Sequence, residues 1–361
     1  GVGRESCLPK TAWPPTSSDG VILSAGFAQD NVFGSGKSFS VEVNTSKSMR
    51  TYAVSLGEPY ITPEGISRHI DLYDRRVDLD ELDVSNVAYE TIGAGLSFGI
   101  PVTELDRVFL GARLEQTQVD LRGSREGALQ GFTDNNSPER YWNYVDQYGD
   151  SPKAALLTLG WSRDSRDNVL APTRGRYQRV SAEFALPVWD QRYYRATYQL
   201  TQYFPLSKSW TLGMNFQFGY GDTYGDKMYP FFKNFYAGGI GSVRGFETSS
   251  IGPRDTNDDR LGGDRQLIFS AELLTPLPGA DRTLRGLLFF DAGTVWGYER
   301  VLGTHSYERQ DMDFSELRYS VGFGVAWISP LGPLKFSLAF PLNKKDGDDV
   351  QRFQFQIGTG F

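Results

Sequence analysis

The sequence predicts an all-β protein, a transmembrane antiparallel β-barrel of sixteen strands with a long extracellular loop folded into its lumen. Three observations support this fold class. Apolar residues alternate with small or polar ones at period two along most of the 361-residue chain. The alternating segments have about 9 to 12 residues, the length of a tilted strand that crosses a bilayer. Short and long connections also alternate, as in barrels with periplasmic turns and extracellular loops.

The alternation is clearest at the C-terminal end of the chain. There Phe353, Phe355, Ile357, Thr359 and Phe361 fall on one face of a strand, with polar or glycine residues between them. A soluble β-sandwich shows the same alternation. The membrane barrel is favoured because the segments have a bilayer-crossing length and because aromatic residues cap many of the apolar faces, as in interfacial girdles.

Fifteen strands follow from this pattern. They lie near residues 21–29, 37–46, 50–57, 65–74, 89–100, 107–118, 153–164, 176–186, 193–204, 210–220, 265–275, 284–294, 317–328, 333–341 and 351–361. Prolines such as Pro101 and Pro205 mark the short connections, whereas residues 119–152, 221–264 and 297–316 form long polar ones. With short turns in the periplasm, an even strand number requires a sixteenth strand before residue 18.

The residues available for that first strand match a strand poorly. Pro9, Pro14 and Pro15 each lack the backbone N–H that a β-ladder needs. We therefore predict that residues 1–18 form an irregular segment or a distorted first strand. Residues 19–361 are predicted to form the transmembrane barrel domain.

The composition excludes several other classes of protein. Aromatic residues make up 14% of the chain, charged residues 22%, and the net charge is -7, so neither a disordered chain nor a nucleic-acid partner is supported. No apolar run reaches the 18 residues of a membrane-spanning helix. The single cysteine, Cys7, excludes a disulfide framework and a cysteine zinc site. The N-terminus has no signal segment, so an exported protein is expected in its mature form.

A glycine-rich segment in the longest loop, residues 235–246, contains one arginine, Arg244. One interpretation is a mobile extracellular loop. In the other, the loop folds into the barrel, where Glu272 and Asp291 lie on the polar faces of their strands. Arg244 then forms a bidentate, charge-assisted pair with these carboxylates.

These segments resemble motifs of the Omp85 family. Val243-Arg244-Gly245-Phe246 resembles the signature of its sixth loop, and residues 289–293 resemble the strand motif whose acidic residue meets that arginine. Residues 161–168 and 172–175 are similar to a turn motif of the family, and residues 351–361 to its last strand. The resemblance covers residues 19–361, while residues 1–17 do not match the family's first strand.

The resemblance implies an integral protein of the bacterial outer membrane that folds and inserts other barrel proteins. Its partners are then unfolded barrel clients, outer-membrane lipid and lipopolysaccharide, with accessory assembly lipoproteins in the full-length protein. The family's periplasmic POTRA repeats, where lipoproteins and clients dock, do not precede the barrel in this sequence. A lumen latch of Arg244, Gly245, Phe246, Glu272 and Asp291 is expected, and neither a coenzyme nor a nucleic-acid partner is implied.

The sequence of the last strand predicts a weak lateral seam, that is, weak pairing between the first and last strands of the barrel. Gly358 and Gly360 weaken its pairing, and its partner strand is irregular. The seam residues are Phe353, Phe355, Gln356, Gly358, Gly360 and Phe361. An open seam offers unpaired N–H and C=O groups to the terminal strand of a client. The alternatives are a related two-partner-type polypeptide secretion pore and a plain porin.

Motifs for enzymes fit the sequence less well. Residues 95–99 match the G-x-S-x-G pattern of serine hydrolases but lie within a strand, and only His69 and His305 could act as imidazole bases. Residues 31–38 nearly match a phosphate-binding loop, but Asn31 replaces the first glycine, so a turn is predicted. We expect no catalytic residue.

Metal binding has one weak candidate. Asp255, Asp258, Asp259 and Asp264 cluster around Asn257 and could hold Ca²⁺, although a solvated acidic loop is favoured. The two histidines have no metal-ligand spacing. We expect neither a metal ion nor a cofactor.

Overall fold

The structure is a computed structural model. It describes residues 23–125, 128, 136–255, 258–277, 283–300, 307–329, 332–345 and 347–357. The predicted first strand within residues 1–17 therefore lies outside the described residues.

Strands dominate the described residues. The strands are β1 (Leu23–Gln29), β2 (Ser38–Thr45), β3 (Met49–Glu58), β4 (Ser67–Asp78), β5 (Val87–Pro101), β6 (Asp106–Leu121), β7 (Lys153–Asp164), β8 (Gly175–Ala185), β9 (Tyr193–Pro205), β10 (Thr211–Thr223), β11 (Gly245–Phe246), β12 (Arg265–Pro276), β13 (Leu284–Trp296), β14 (Tyr298–Arg300), β15 (Tyr307–Arg309), β16 (Arg318–Ser329), β17 (Gly332–Pro341), β18 (Val350–Gln351) and β19 (Phe353–Ile357). The α-helix α1 (Glu139–Tyr148) and three 3-10 turns, Val32–Gly34, Phe231–Lys233 and Phe314–Glu316, are the other elements whose bounds fall within the described residues.

Fifteen of these strands form a single antiparallel sheet in which neighbours follow the order of the chain. The order is β1-β2-β3-β4-β5-β6-β7-β8-β9-β10-β12-β13-β16-β17-β19. Each of the fifteen strands predicted from the sequence has its counterpart in this sheet, so the all-β antiparallel prediction is confirmed.

Several strands are longer than the alternation predicts. β4 continues to Asp78 and β6 to Leu121, beyond the predicted ends at 74 and 118. There Arg76 lies opposite Glu90 of β5, and the Arg76 guanidinium also contacts the Asp120 carboxylate at 3.0 Å. In these extensions charged residues occupy the outer face of the ladder, whereas Val77 and Val119 on the inner face are buried in an apolar cluster.

The two faces of the sheet differ as a membrane barrel requires. On the outer face large apolar side chains are exposed, such as Ile92, which is 61% accessible, and Leu114 of the neighbouring strand. On the inner face of β5, a Cβ at Gly93 would lie 2.5 Å from the Tyr73 ring, so glycine leaves room for that tyrosine. Large side chains point to the lipid side, and small or polar ones line the lumen.

The sheet curls around the loop between β10 and β12, residues 224–264, here called the lumen loop. Lys233 of this loop reaches Glu115 of β6, whereas Arg244 reaches Asp291 of β13. Phe235 packs on Gly219 of β10. Because one loop contacts the inner faces of strands far apart in the sheet order, the sheet has to wrap around it. The predicted folding of this loop into the lumen is confirmed.

The helix α1 was not predicted from the sequence. It lies in the connection between β6 and β7, and its Tyr141 and Tyr144 are buried against Phe231 of the lumen loop. The Tyr141 and Phe231 rings stack with their centroids 4.0 Å apart. The helix therefore packs on the lumen loop at the end of the sheet where β6 and β7 are connected. Among the described residues, no helix has the length and apolar character needed to cross a bilayer.

The two ends of the sheet remain open edges within the described residues. β1 pairs with β2, and β19 pairs with β17, but no ladder joins β1 to β19. β19 pairs with β17 only from Leu334 to Leu338. By contrast, β16 pairs with β17 along the whole of Gly332–Pro341.

Candidate functional site

The lumen loop places Arg244 at the inner wall of the sheet. The Arg244 side chain is 2% accessible, and Gly245 follows it with a backbone φ of 90°. A Cβ at Gly245 would lie 3.1 Å from the Cβ of Ala339 on β17. Glycine is needed here for two reasons, because the left-handed conformation disfavours other residues and because the loop backbone lies directly on the strand.

Arg244 binds both carboxylates predicted from the sequence. Its Nε donates to Asp291 Oδ2 at 2.6 Å, and Nη2 donates to Asp291 Oδ1 at 2.7 Å. Nη1 donates to Glu272 Oε1 at 2.6 Å. The backbone N–H of Arg244 adds a bond of 3.1 Å to Asp291 Oδ2. The arginine is thus fixed by a bidentate pair and a second carboxylate, an arrangement that a lysine could not reproduce.

The surroundings of the pair neutralise and orient it. Lys335 of β17 donates to Glu272 Oε1 at 2.7 Å, and Ser270 Oγ donates to Asp291 Oδ1 at 2.6 Å. The Arg244 guanidinium also lies over the Phe289 ring, 3.5 Å from its centroid. Burial alone lowers the pKa of Arg244, but the two carboxylates raise it above its ordinary value. Two cations and two carboxylates form a neutral cluster in the wall of the lumen.

Phe246 anchors the loop by apolar contact. It is buried in a cluster with residues of the lumen loop and of β12 and β13: Phe235, Ala237, Val243, Ile251, Ile268 and Val295. The sequence analysis predicted that five residues lie together, and the structure places all five together: Arg244, Gly245, Phe246, Glu272 and Asp291.

A second ionic anchor was missed by the sequence analysis. Lys233 Nζ lies 3.1 Å from Glu115 Oε2 and 3.2 Å from Glu183 Oε1. The hydroxyl groups of Tyr73 and Tyr193 donate to these carboxylates, each at 2.6 Å. Burial lowers the pKa of Lys233, but the two carboxylates raise it above its ordinary value. The only signal in the sequence was the inward-facing position of the two glutamates.

The predicted seam residues fall into two groups. Phe353 and Phe355 point outward on β19 and are exposed, while Gln356 faces inward and is buried. Gly358, Gly360 and Phe361 lie outside the described residues. The described part of β19 therefore has an apolar outer face and a polar inner face.

The turn motif within residues 161–175 forms a hydrogen-bonded connection between β7 and β8. Asp167 accepts hydrogen bonds from the backbone N–H groups of Thr173 and Arg174. Arg285 of β13 crosses the lumen and donates to the backbone carbonyl groups of Ala171 and Pro172 at 2.8 and 3.0 Å. The motif thus ties β7 and β8 to the opposite wall of the sheet.

The hydrolase and phosphate motifs have structural roles. His69 lies opposite Ser97 in the ladder between β4 and β5. The Ser97 hydroxyl makes no hydrogen bond within the described residues. Residues 31–37 form the predicted turn, with Asn31 Oδ1 accepting from the N–H of Gly36 at 2.7 Å. His305 lies outside the described residues.

Two of the four aspartates of the acidic cluster are bound by arginines. Asp258 lies 2.9 Å from Arg254, and Asp264 lies 3.1 Å from Arg309. Asn257 is outside the described residues. Within the part of the chain that the structure describes, no group of three or more His, Cys, Asp or Glu residues is arranged to hold a metal ion.

Comparisons with known proteins agree with this architecture. A family model described as the Omp85 superfamily domain matches residues 31–361. The outer membrane protein assembly factor BamA of Neisseria meningitidis serogroup B is 40% identical over 374 residues, which cover 95% of this chain and 45% of the relative. This chain thus spans less than half the length of the curated relatives it matches most strongly.

Solved structures show the same fold. The crystal structure of BamA from Haemophilus ducreyi lacking POTRA domains 1-3 superposes with a TM-score of 0.77 at 26% identity, covering 95% of this chain and 68% of that one. CdiB from Escherichia coli superposes with a TM-score of 0.57 at 14% identity, covering 94% of this chain and 59% of that one. The second likeness concerns the fold alone.

Proposed function

The chain belongs to the Omp85 superfamily, and from this premise we propose that it folds β-barrel proteins and inserts them into the bacterial outer membrane. The BamA relatives are named as outer-membrane assembly factors, and this chain is an outer-membrane protein of the same family. In our proposal residues 19–361 form one barrel domain, and this domain carries the insertion activity.

The observation that carries the proposal is the edge of β19. Its described ladder with β17 has five residues, and no ladder joins it to β1 among the described residues. Unpaired N–H and C=O groups at membrane depth cost several kcal/mol each. An extended client segment that adds to this edge satisfies them, and each client strand then becomes the edge for the next. The reaction requires no nucleophile, metal ion or nucleotide.

The lumen latch has a supporting role in this proposal. Arg244, Gly245 and Phe246 hold the lumen loop against Glu272 and Asp291, which keeps the inside of the sheet filled until a client pairs with the edge. The clients are unfolded outer-membrane barrel proteins. Outer-membrane lipid and lipopolysaccharide surround the sheet, and accessory assembly lipoproteins join the full-length protein. We propose no cofactor, no nucleic-acid partner and no enzymatic activity.

The alternative is a related two-partner-type polypeptide secretion pore. Such a pore needs a lumen that opens to a partner chain, whereas the lumen loop occupies it in the described structure. Single-channel recordings distinguish the two functions. A secretion pore gives large stable openings once the loop is displaced, and an insertase gives brief ones.

The proposed function is tested with this chain in liposomes. The folding rate of a small unfolded barrel client is compared with the rate in empty liposomes and in liposomes with the Arg244→Ala variant. Arg285→Ala is the matched control, because Arg285 is also a buried arginine of the lumen wall but contacts the turn at residues 171–172. Acceleration by the wild type and the control, lost in Arg244→Ala, is expected. A wild-type rate equal to that in empty liposomes contradicts the proposal.

A further inference from the structure

The last strand and the two residues that lead into it pair with different partners. After Arg352, residues Phe353–Ile357 pair with β17. Before Arg352, Val350–Gln351 pair with Gly245–Phe246 of the lumen loop, with Val350 opposite Phe246 and Gln351 opposite Gly245. The N–H of Glu247 extends this ladder by donating to the carbonyl of Asp349 at 2.9 Å. The loop that carries the latch arginine therefore pairs with the segment just before β19, while the Arg352 carbonyl still accepts from the N–H of Ala339 on β17 at 2.8 Å.

One side chain of β19 binds the loop next to the latch arginine. Gln354 faces the lumen and is 5% accessible. Its Nε2 donates to the carbonyl oxygen of Phe246 at 2.7 Å, and its Oε1 accepts from the N–H of Gly245 at 3.4 Å. The amide thus bonds to the two residues that follow Arg244, so displacing the loop removes hydrogen bonds from the edge strand itself.

Ion pairs also fix Asp348 and Asp349, which precede the last strand. The Asp349 carboxylate accepts from Arg254 at 3.0 Å and from Arg260 at 2.9 Å, both of the lumen loop. Arg260 also lies 2.9 Å from Glu247. On the other side, Asp348 is held by Arg318 of β16 at 2.9 Å. The segment that enters the last strand is consequently fixed between the loop and the sheet.

We propose that Gln354 is a positioning residue that couples the lumen loop to the seam strand. While the loop is latched, the edge available to a client is limited to the β19 residues after Arg352. When the loop is displaced, Val350 and Gln351 lose their backbone pairing with the loop, and the edge available to a client is extended to include them. This inference rests on the proposed function and specifies how the latch regulates the same edge.

The test compares two glutamine variants of the full chain in lipid. Gln354→Met keeps the length of the side chain and removes both amide bonds to the loop. Gln266→Met is the matched control, because Gln266 of β12 also donates its amide to a carbonyl of the lumen loop, that of Tyr236 at 3.0 Å, but lies away from the seam. Hydrogen–deuterium exchange of the peptide spanning residues 349–357 is measured in each.

Exchange of this peptide is expected to be about tenfold faster in Gln354→Met, the ratio for the loss of one buried hydrogen bond. Gln266→Met is expected to leave it at the wild-type rate. Asp349→Asn, a change at a half-exposed position, gives the same direction of effect with a smaller size and serves if Gln354→Met does not fold. Wild-type exchange in the Asp349 and Gln354 variants, or equal acceleration in both glutamine variants, overturns the coupling.

The exchange result separates this inference from the proposed function. Exchange requires no client, so it tests the coupling even if the wild type fails to accelerate client folding. If the coupling is correct and the chain is an insertase, Gln354→Met also alters the client folding rate, whereas Gln266→Met does not. A client rate altered equally by both variants indicates a general loss of loop anchoring and overturns the positioning role.

Discussion

We expect the buried pair of Arg244 and Asp291 to contribute several kcal/mol to the free energy of unfolding. Asp291 is 0% accessible and accepts hydrogen bonds from the backbone N–H and guanidinium of Arg244 and from Ser270. Arg244→Met leaves this carboxylate buried without its cation, and removing one partner of a buried ion pair costs about 3–5 kcal/mol. Asp291→Asn is expected to cost a similar amount, because it leaves the arginine without its bidentate acceptor.

The double variant distinguishes a true pair from two independent contacts. With Arg244→Met and Asp291→Asn combined, no charge of the pair remains unpaired, and Glu272 keeps Lys335 at 2.7 Å. The total loss is therefore expected to stay near that of one single variant, which corresponds to a coupling energy of about 3–5 kcal/mol. Arg244→Lys is the control that keeps the charge but not the fork, and its loss is expected to lie between those of the wild type and Arg244→Met.

The assay is urea unfolding of the refolded protein in detergent, followed by tryptophan fluorescence, with the free energy obtained by linear extrapolation. The unfolding must be reversible and coincide with the loss of the folded band on unheated gels, so that a two-state free energy is defined. Additive losses in the double variant, or a loss below about 1 kcal/mol in Arg244→Met, refute the assignment of Arg244 and Asp291 as a buried pair.

Three further predictions concern the lumen loop. Lys233→Met leaves Glu115 and Glu183 buried as like charges, so a loss of about 3 kcal/mol and faster proteolysis of the loop are expected; unchanged proteolysis contradicts an anchoring role. Gly245→Ala is expected to cost about 1–3 kcal/mol in urea unfolding because of its backbone φ of 90°; wild-type stability refutes the close approach to β17. Burial raises the pKa of Asp259 to about 7, so the stability it contributes is complete below pH 4 and declines as pH rises to 7. Asp259→Asn should flatten this decline, and an unchanged pH profile contradicts the shift.

The strands of the sheet could be predicted because their physical requirement is local. Each strand presents large apolar residues to lipid and small or polar ones to the lumen, so the alternation at period two can be recognised in the sequence. The ends of β4 and β6 could not be placed, because Arg76 and Asp120 interrupt the apolar outer face, while Val77 and Val119 on the inner face pack against α1 and the lumen loop. The helix α1 was missed because its buried Tyr141 and Tyr144 lie in a connection that otherwise has the composition of a polar loop.

The site was predictable in part for a related reason. A lone arginine in a glycine-rich loop and two inward carboxylates are visible in the sequence, and their pairing follows once the loop folds inward. The contacts of Lys233 and Gln354 depend on residues more than a hundred positions away in the chain. No local pattern specifies such contacts, because they arise only when the sheet curls and brings distant strands around the same loop.

The anchors of the lumen loop also constrain how the edge can open without an external energy source. Releasing the loop removes Arg244 from a neutral cluster, which costs about 3–5 kcal/mol unless water or another cation replaces it. In the proposed function, a client strand that pairs with β19 gains about 0.5–1.5 kcal/mol for each backbone hydrogen bond, and more where the edge groups had no partner in lipid. A few such bonds therefore offset the loss of the latch. We infer that loop release and client pairing are balanced to within a few kcal/mol, so that each strand added to the edge can favour release of the loop and each completed client can restore the latch.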